Sequence, residues 1–575
     1  MALVVIELFC PLSRHSLLRF VHHLLPDVPR DPKGINSFTR KKSSVHSPSE
    51  KDFEQFFRYT SGRWLWDENM QLQERYRKFN VHKLQAITAQ VLGSSKCISM
   101  TKIGEGNYNK VFRLQMDDGA VAIARIPHPN AGPSRYTSAS EVATMELARS
   151  VLQIPIPKVL AWSASSDNPV GSEYIIMEEA KGKQLTHLWE QMDLEEKKRI
   201  IDDIVTIEQK LLSISFSFLG SLYFTCDSFP GCEAAEVLGD VPTTIKEDIK
   251  RRFVIGPTAI REFWEKERSL LTIDRGPWKS AKEYVEAIAH REMAYMSKVS
   301  PSGAPVSGYV KLSQAQLSPQ AHTQLLQRYL ASICSLLPND PDLLRSVLWH
   351  PDLHDGNIFI HEGKISSIID WQSVWTGPLM LQARTPRLIN YNVDIMLKLP
   401  ENFKELDNGE KERIRDQVSK SIQLYIYEHE TGRRNPLLNK ARRQPFGKTL
   451  AQLVDFAGDS WDDDILPFRD CLISLERDWS ELGTKNPCPF HFSEDEIRQH
   501  HEDGEGFNET QDFWDSVEGI VDRSGWTTPE NFDTAVDYFS KLREEGLRTL
   551  TGEERQDFEL QTRWVPQTVS QNKLA

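Results

Sequence analysis

The stretch VLWHPDLHDGNIFIHEGKISSIIDW, residues 347–371, decides how the chain is read. Val347 to Trp349 is a short apolar run. Pro351, Asp355 and Gly356 break it into a loop, and Ile358 to Ile360 is apolar again. Glu362-Gly363 signals a hairpin turn, and Ile365 to Ile369 is a β-branched strand. The expected order is strand, tight loop, strand, turn, strand. Asp352 and Asn357 then lie on one loop, and Asp370 sits at the end of the last strand.

That arrangement suits phosphoryl transfer. One carboxylate accepts or orients the proton of an attacking hydroxyl, while a carboxamide oxygen and a second carboxylate hold Mg²⁺ on nucleotide phosphates. Mg²⁺ is a hard cation that takes oxygen ligands, which Asn357 and Asp370 can supply. The spacing is H-x-D-x-x-x-x-N, through His350, Asp352 and Asn357, and Asp370 follows Asp352 by 18 residues. The plain alternative is a β-hairpin with a polar loop.

HPDLHDGNIF followed by IIDWQ resembles the aminoglycoside phosphotransferase family of the kinase-like fold. The resemblance implies an α+β, two-lobed protein-kinase-like fold. It would have a small β-rich N-lobe, a larger mainly helical C-lobe, helical insertions and a C-terminal helical extension. It also implies ATP- and Mg²⁺-dependent transfer of the γ-phosphoryl group to a hydroxyl of a small molecule. Asp352 would be the catalytic base, and Asn357 and Asp370 the magnesium ligands. Asp-Trp-Gln replaces the Asp-Phe-Gly of protein kinases, His354 stands where they carry lysine, and no Ala-Pro-Glu follows. All three departures favour a small-molecule acceptor over a protein.

Upstream, IGEGNYNKVF (residues 103–112) reads as strand, glycine-rich turn, strand. Gly104 and Gly106 let backbone N–H groups approach phosphates without a Cβ in the way. A kinase would have a third glycine at Asn109, a residue type that tolerates left-handed geometry. VAIARI (residues 121–126) is a buried-looking strand with Arg125 at the position of the kinase lysine. Arginine forks onto phosphate bidentately. Glu141 opens a helix expected over 141–152 and is the expected partner of Arg125. Glu146 is the alternative, on a different helical face. EYIIM (residues 173–177) is a strand broken by Glu178-Glu179-Ala180-Lys181-Gly182. In this fold the lobes join there, the backbone of Glu178 and Ala180 pairs with the adenine edge, and Met177 flanks the ring. Arg125 and Asn109 also motivate an alternative: a catalytically inactive kinase-like nucleotide-binding protein with a mitochondrial role.

The bulk properties agree with a globular enzyme. The chain has 575 residues, 39% hydrophobic and 26% charged, and a net charge of −13 that argues against nucleic acid as the main partner. No apolar run approaches a membrane span. Seven cysteines show no C-x-x-C and no paired spacing, which points to a reducing compartment. Residues 1–50 differ from the rest. Arg14, Arg19, Arg30, Lys33, Arg40, Lys41 and Lys42 outnumber Glu7, Asp27 and Asp31, and Ser16 to Leu25 can wind as an amphipathic helix. A transit peptide and a disordered tail both fit, so the location is expected to be mitochondrial, with cytoplasmic as the alternative. The run FFRYTSGRWLW (residues 56–66) resembles a fungal, mitochondrial subgroup of the same family.

The remaining chain reads as an N-terminal extension and nucleotide-binding N-lobe over 51–178, a helical C-lobe over 179–385, and a mainly helical part over 386–575. Dense aromatic and arginine residues from 56 to 79 suggest packing of guanidinium groups over rings. RRFVIGPTAIREFWEKERSLLTIDRGPW (residues 251–278) resembles a further element of the same fungal subgroup, which would be an insertion near the acceptor pocket. Arg251, Arg252 and Arg261 are candidate grips on an anionic acceptor, or else solvent-facing. Ile414, Val418, Ile422 and Tyr425 follow helical spacing, as do Phe532, Val536, Phe539 and Leu542. Residues 495–512, rich in Glu, Asp and His, read as a solvated loop.

Overall fold

A computed structural model of the chain describes residues 53–298, 314–391, 394–482 and 486–565. The expected features of residues 1–50 lie outside the described residues. The architecture is α+β, with a small sheet-based lobe followed by a larger helical one.

The helix α1 (Val81–Leu92) is capped by Asn80, whose side chain accepts from Lys83 N at 3.0 Å, and ends on Gly93 in the left-handed region. After it come β1 (Cys97–Glu105), β2 (Asn109–Met116) and β3 (Val121–Pro127). The helix α2 (Tyr136–Ser150) leads to β4 (Val159–Ser163) and β5 (Tyr174–Glu178). The strands form one antiparallel sheet in the order β1-β2-β3-β5-β4. Alternation along β2 buries Phe112, Leu114 and Met116, and these pack with Leu84 and Ala89 of α1 and with Phe56, Phe57 and Phe79 of the extension.

Helix α2 begins five residues before the expected Glu141. The segment SRYTSAS has weak intrinsic helix preference, because its hydroxyls compete for the backbone. Two of those hydroxyls are occupied elsewhere: Ser134 and Ser138 donate to the Glu173 carboxylate at 2.5 and 2.7 Å. A contact across 35 residues or more thus supplies what the local sequence lacks.

Beyond β5 the chain crosses to β6 (Lys183–Gln184) and α3 (Leu194–Leu211), which starts with a capping box between Asp193 and Glu196. The strand Phe253–Gly256 of the expected insertion pairs antiparallel with Ser221–Phe224, which precedes it in the chain. Between those two strands lies a helix, Thr243–Arg252. Helices α4 (Ala281–Met296) and α5 (Pro319–Leu336) pack beside each other. The strands β7 (Ser346–Leu348), β8 (Ile358–His361) and β9 (Lys364–Ile368) then carry the decisive stretch, and β9, β8 and β6 form one small sheet.

Helix α6 (Asn408–Arg434) lies on α3. It contains the expected helical run from Ile414 to Tyr425; its buried face carries Leu424, Tyr427 and Thr431, and Tyr425 is exposed. Helices α7 (Gly447–Asp459) and α8 (Ile465–Arg477) complete a second core with α4 and α5 around Ile288, Leu326, Tyr329, Leu453 and Phe468.

Residues 495–512 are not a loop. They belong to α9 (Glu494–Ser516), opened by a capping box between Ser493 and Glu496. The S-x-x-E signature was present in the sequence, but the polar composition masked it. His500 is buried and meets Asp470 of α8 at 3.0 Å, which makes it a packing residue. Among the described residues no His, Cys, Asp and Glu group is arranged to hold a metal ion.

Helix α10 (Phe532–Thr549) follows a two-residue strand, Trp526–Thr527, that pairs with Arg63–Trp64 of the extension. Arg75 lies over the Trp64 ring at 4.5 Å and Arg63 over Phe532 at 3.4 Å, so the aromatic-arginine run is indeed packing. No described helix is long and apolar enough to cross a membrane. The six described cysteines are free thiols.

Candidate active site

A cleft of about 1340 Å³ separates the lobes. Its lining includes Gly106, Asn109, Arg125, Glu141, Met177, Glu178, Ala180, Asp352, Asn357 and Asp370, so the structure gathers nearly every residue proposed from sequence. Gly104 lies in β1 and is absent from that lining.

The loop between β7 and β8 is held by its own polar groups. Asn357 Nδ2 donates to the Asp352 carbonyl at 3.0 Å, and Ile369 N donates to the Asn357 carbonyl at 3.0 Å. The first bond fixes the orientation of the carboxamide. His350 is buried, with Nε2 3.1 Å from the Ile369 carbonyl and its ring edge-on to Trp371 at 4.9 Å. Burial pushes its pKa down against that hydrogen bond, so the ring is neutral and Nε2 carries the proton. His350 therefore ties the loop to the strand end ahead of Asp370. His354 points back into the loop, where its Nδ1 accepts from Gly356 N at 3.0 Å.

Asp370 adopts φ +62°, a left-handed conformation that aspartate tolerates better than most residues. Non-glycine residues in this region concentrate at functional sites, where surrounding structure enforces them. The carboxylate is half-exposed, and its Oδ1 lies 3.4 Å from Arg125 Nη1.

Arg125 enters from β3 and is 7% exposed. Its other branch pairs with Glu141, which is 2% exposed, in the second turn of α2. Burial lowers the arginine pKa and Asp370 opposes that shift. Glu146 instead pairs with Arg252 at 2.5 Å, so the expected choice of Glu141 holds. Asn109 plays a different part from the one expected. It begins β2 with ordinary φ, and its Nδ2 donates to Gln372 Oε1 at 2.7 Å. Gln372 in turn donates to the Ala131 carbonyl at 2.7 Å. The glycine-rich turn is thus latched to the segment carrying Asp370. Neither Gly104 nor Gly106 has a positive φ, and Gly106 faces open space.

At the back of the cleft, Met177, Glu178 and Ala180 line the crossing between lobes. Gly182 closes it with φ +92°. A Cβ there would lie 2.1 Å from the Ile360 carbonyl oxygen, so only glycine lets the crossing pass this close to β8.

Sequence reasoning missed the far wall. Glu262, Tyr284, Trp375, Arg384, Arg387, Asp455 and Asp459 line it. Asp459 is open to solvent in the cleft, and partial desolvation by the walls around it, with Glu262 and Asp455 nearby, raises it to about 7. Asp455 and Asp459 sit one helical turn apart on α7, a signal readable only if the helix is known to face the cleft. Of the three arginines proposed for an acceptor, only Arg261 lines the cleft, stacked over Tyr108 at 4.3 Å. Arg251 and Arg252 pair with Asp248 on the outer helix 243–252.

The fold and cleft define a two-lobed, kinase-like phosphotransferase architecture. A sequence model described as the phosphotransferase enzyme family matches residues 270–381. A subtelomeric hrmA-associated cluster protein of Aspergillus fumigatus is 32% identical, covering 79% of this chain and 94% of its own length. Altered inheritance of mitochondria protein 9 of Saccharomyces cerevisiae is 23% identical, covering 85% of this chain and 89% of its own. A solved aminoglycoside phosphotransferase in complex with ADP and hygromycin B is 14% identical, with a TM-score of 0.36, and covers 70% of this chain and 100% of its own. The chain belongs to the phosphotransferase enzyme family.

Proposed function

We propose that the protein is an ATP- and Mg²⁺-dependent phosphotransferase that moves the γ-phosphoryl group to a hydroxyl of a small molecule. The observation that carries this reading is the meeting of Asp352, Asn357, Asp370 and the Arg125–Glu141 pair in one interlobe cleft. Asp352, 40% exposed, is the carboxylate that receives the acceptor's proton. Asn357 Oδ1 and Asp370 are oxygen donors of the type Mg²⁺ takes, and the fixed carboxamide and left-handed Asp370 support that assignment. Bound magnesium would neutralise charge on the phosphates. Arg125, aimed by Glu141, steadies the phosphates beneath the turn latched by Asn109 and Gln372. Glu178, Ala180 and Met177 receive the base. Positioning and electrostatic stabilisation supply the rate.

The relatives named as mitochondrial, together with the basic N-terminal stretch, support a mitochondrial location. Import and shortening of the full chain by isolated mitochondria tests that point.

The function is tested by labelled γ-phosphate transfer to a panel of hydroxyl metabolites. Asp352→Ala is expected to abolish transfer and keep MgATP binding, read as a thermal shift. An active Asp352→Ala enzyme refutes the assignment. MgATP binding by the parent, with no transfer to any acceptor, favours the inactive nucleotide-binding form, for which the guanidinium at Asp370 is the specific structural ground.

A further inference from the structure

A second cation stands at the candidate base. Arg387 Nη1 lies 2.9 Å from Asp352 Oδ1. It comes from the segment after Leu379–Gln382, and its side chain is 71% exposed. The other arginines of the cleft are paired with other groups. Arg125 pairs with Glu141, Arg261 with Glu265, and Arg384 with Asp455 at 2.8 Å. Arg291 is buried on Glu292 and the Gly458 carbonyl. His354, at the position of the kinase lysine, is turned into its own loop. Arg387 is held by a surface ion pair, a contact that contributes little and is readily exchanged.

Arg387 also competes with an acceptor hydroxyl for Asp352, because a carboxylate held by a guanidinium is a poorer base. That hydroxyl sits about 2.6–3.2 Å from the carboxylate, and its oxygen lies about 3–3.5 Å from the phosphorus it attacks. A guanidinium already in contact with Asp352 reaches that phosphoryl group by side-chain rotation alone.

Resting on the phosphotransferase reading, we propose that Arg387 is a further catalytic residue. It parks on Asp352 before the acceptor arrives and then grips the equatorial oxygens of the transferring phosphoryl group. In that step the acceptor oxygen bonds to the γ-phosphorus and the bond to the β–γ bridging oxygen breaks. The electron pair leaves on ADP, and the hydroxyl proton passes to Asp352. The planar fork of Arg387 matches two phosphoryl oxygens at once, which lysine cannot reproduce.

Calorimetric titration of the full chain with MgADP, without and with aluminium fluoride as a planar phosphoryl mimic, tests this. The parent is expected to bind MgADP about 100-fold more tightly with the mimic. Arg387→Met should lose at least tenfold of that gain and bind MgADP alone within about threefold of the parent, with Arg387→Lys in between. An Arg387→Met protein that keeps the whole gain overturns the proposal and leaves the phosphotransferase reading standing. A parent that binds MgADP but gains nothing from the mimic also overturns it. A parent that binds no MgADP overturns both. Circular dichroism of the variants confirms folding, expected to be intact for an exposed side chain.

Discussion

Removing the Glu141 carboxylate isolates the role of the pair at the nucleotide side. Arg125 and Glu141 are 7% and 2% exposed, so Glu141→Ala strands a guanidinium that has little water around it. Breaking a buried ion pair by deleting one partner costs roughly 3–5 kcal/mol. Here Asp370 Oδ1 is already 3.4 Å from the other branch of the guanidinium and can recover a part. Its half-exposed carboxylate is worth only about 1 kcal/mol, which leaves a net loss of roughly 2–4 kcal/mol. The same rescue has a functional consequence. An arginine leaning fully on Asp370 competes for the carboxylate assigned to magnesium. Undoing about 1 kcal/mol of that contact weakens MgATP binding roughly 5- to 10-fold. Urea unfolding gives the stability and calorimetry the affinity. Glu146→Ala is the control, because Glu146 lies on the same helix but pairs with Arg252 outside the site. If Glu141→Ala matches Glu146→Ala in both measurements, the argument from burial and pairing is wrong.

Two further outcomes follow from the same structure. Gly182→Ala should destabilise the protein by roughly 2–4 kcal/mol, since φ +92° and a Cβ 2.1 Å from the Ile360 carbonyl cannot both be relieved. Gly171→Ala, at φ +73° with open space around it, should cost less, and equal melting temperatures for the two variants would contradict the account. Glu208, 1% exposed and hydrogen-bonded by Tyr427 at 2.8 Å, is pushed up to about 8, chiefly by desolvation. Its ordinary value is 4.5, so its contribution to stability is complete below pH 4.5 and is lost as the pH rises through 8. That loss is roughly 3 kcal/mol at pH 7. Glu208→Gln should therefore gain melting temperature relative to the parent between pH 5 and 8.5, and a difference that is flat with pH would count against it.

The chain's local chemistry was enough to mark the strand-loop-strand around Asp352, because turn residues, β-branched runs and the H-x-D-x-x-x-x-N spacing all act within a few residues. The glycine-rich hairpin, the Arg125 strand and the lobe crossing were legible for the same reason. Long-range partners were not. The early start of α2 depends on Glu173, and the latch on Asn109 depends on Gln372, which lies 263 residues away. The acidic and aromatic far wall depends on α4 and α7 turning particular faces inward. Residues 495–512 show composition outweighing a capping signal when the packing partner is unknown.

Sequence alone determined which side chains could perform the chemistry and what short elements would carry them, because backbone preference and motif spacing are local. Tertiary structure alone decided that Arg125 also meets Asp370, and that Arg387 reaches Asp352. Arg125 and Asp370, 245 residues apart, become neighbours only once core burial has set the lobes face to face.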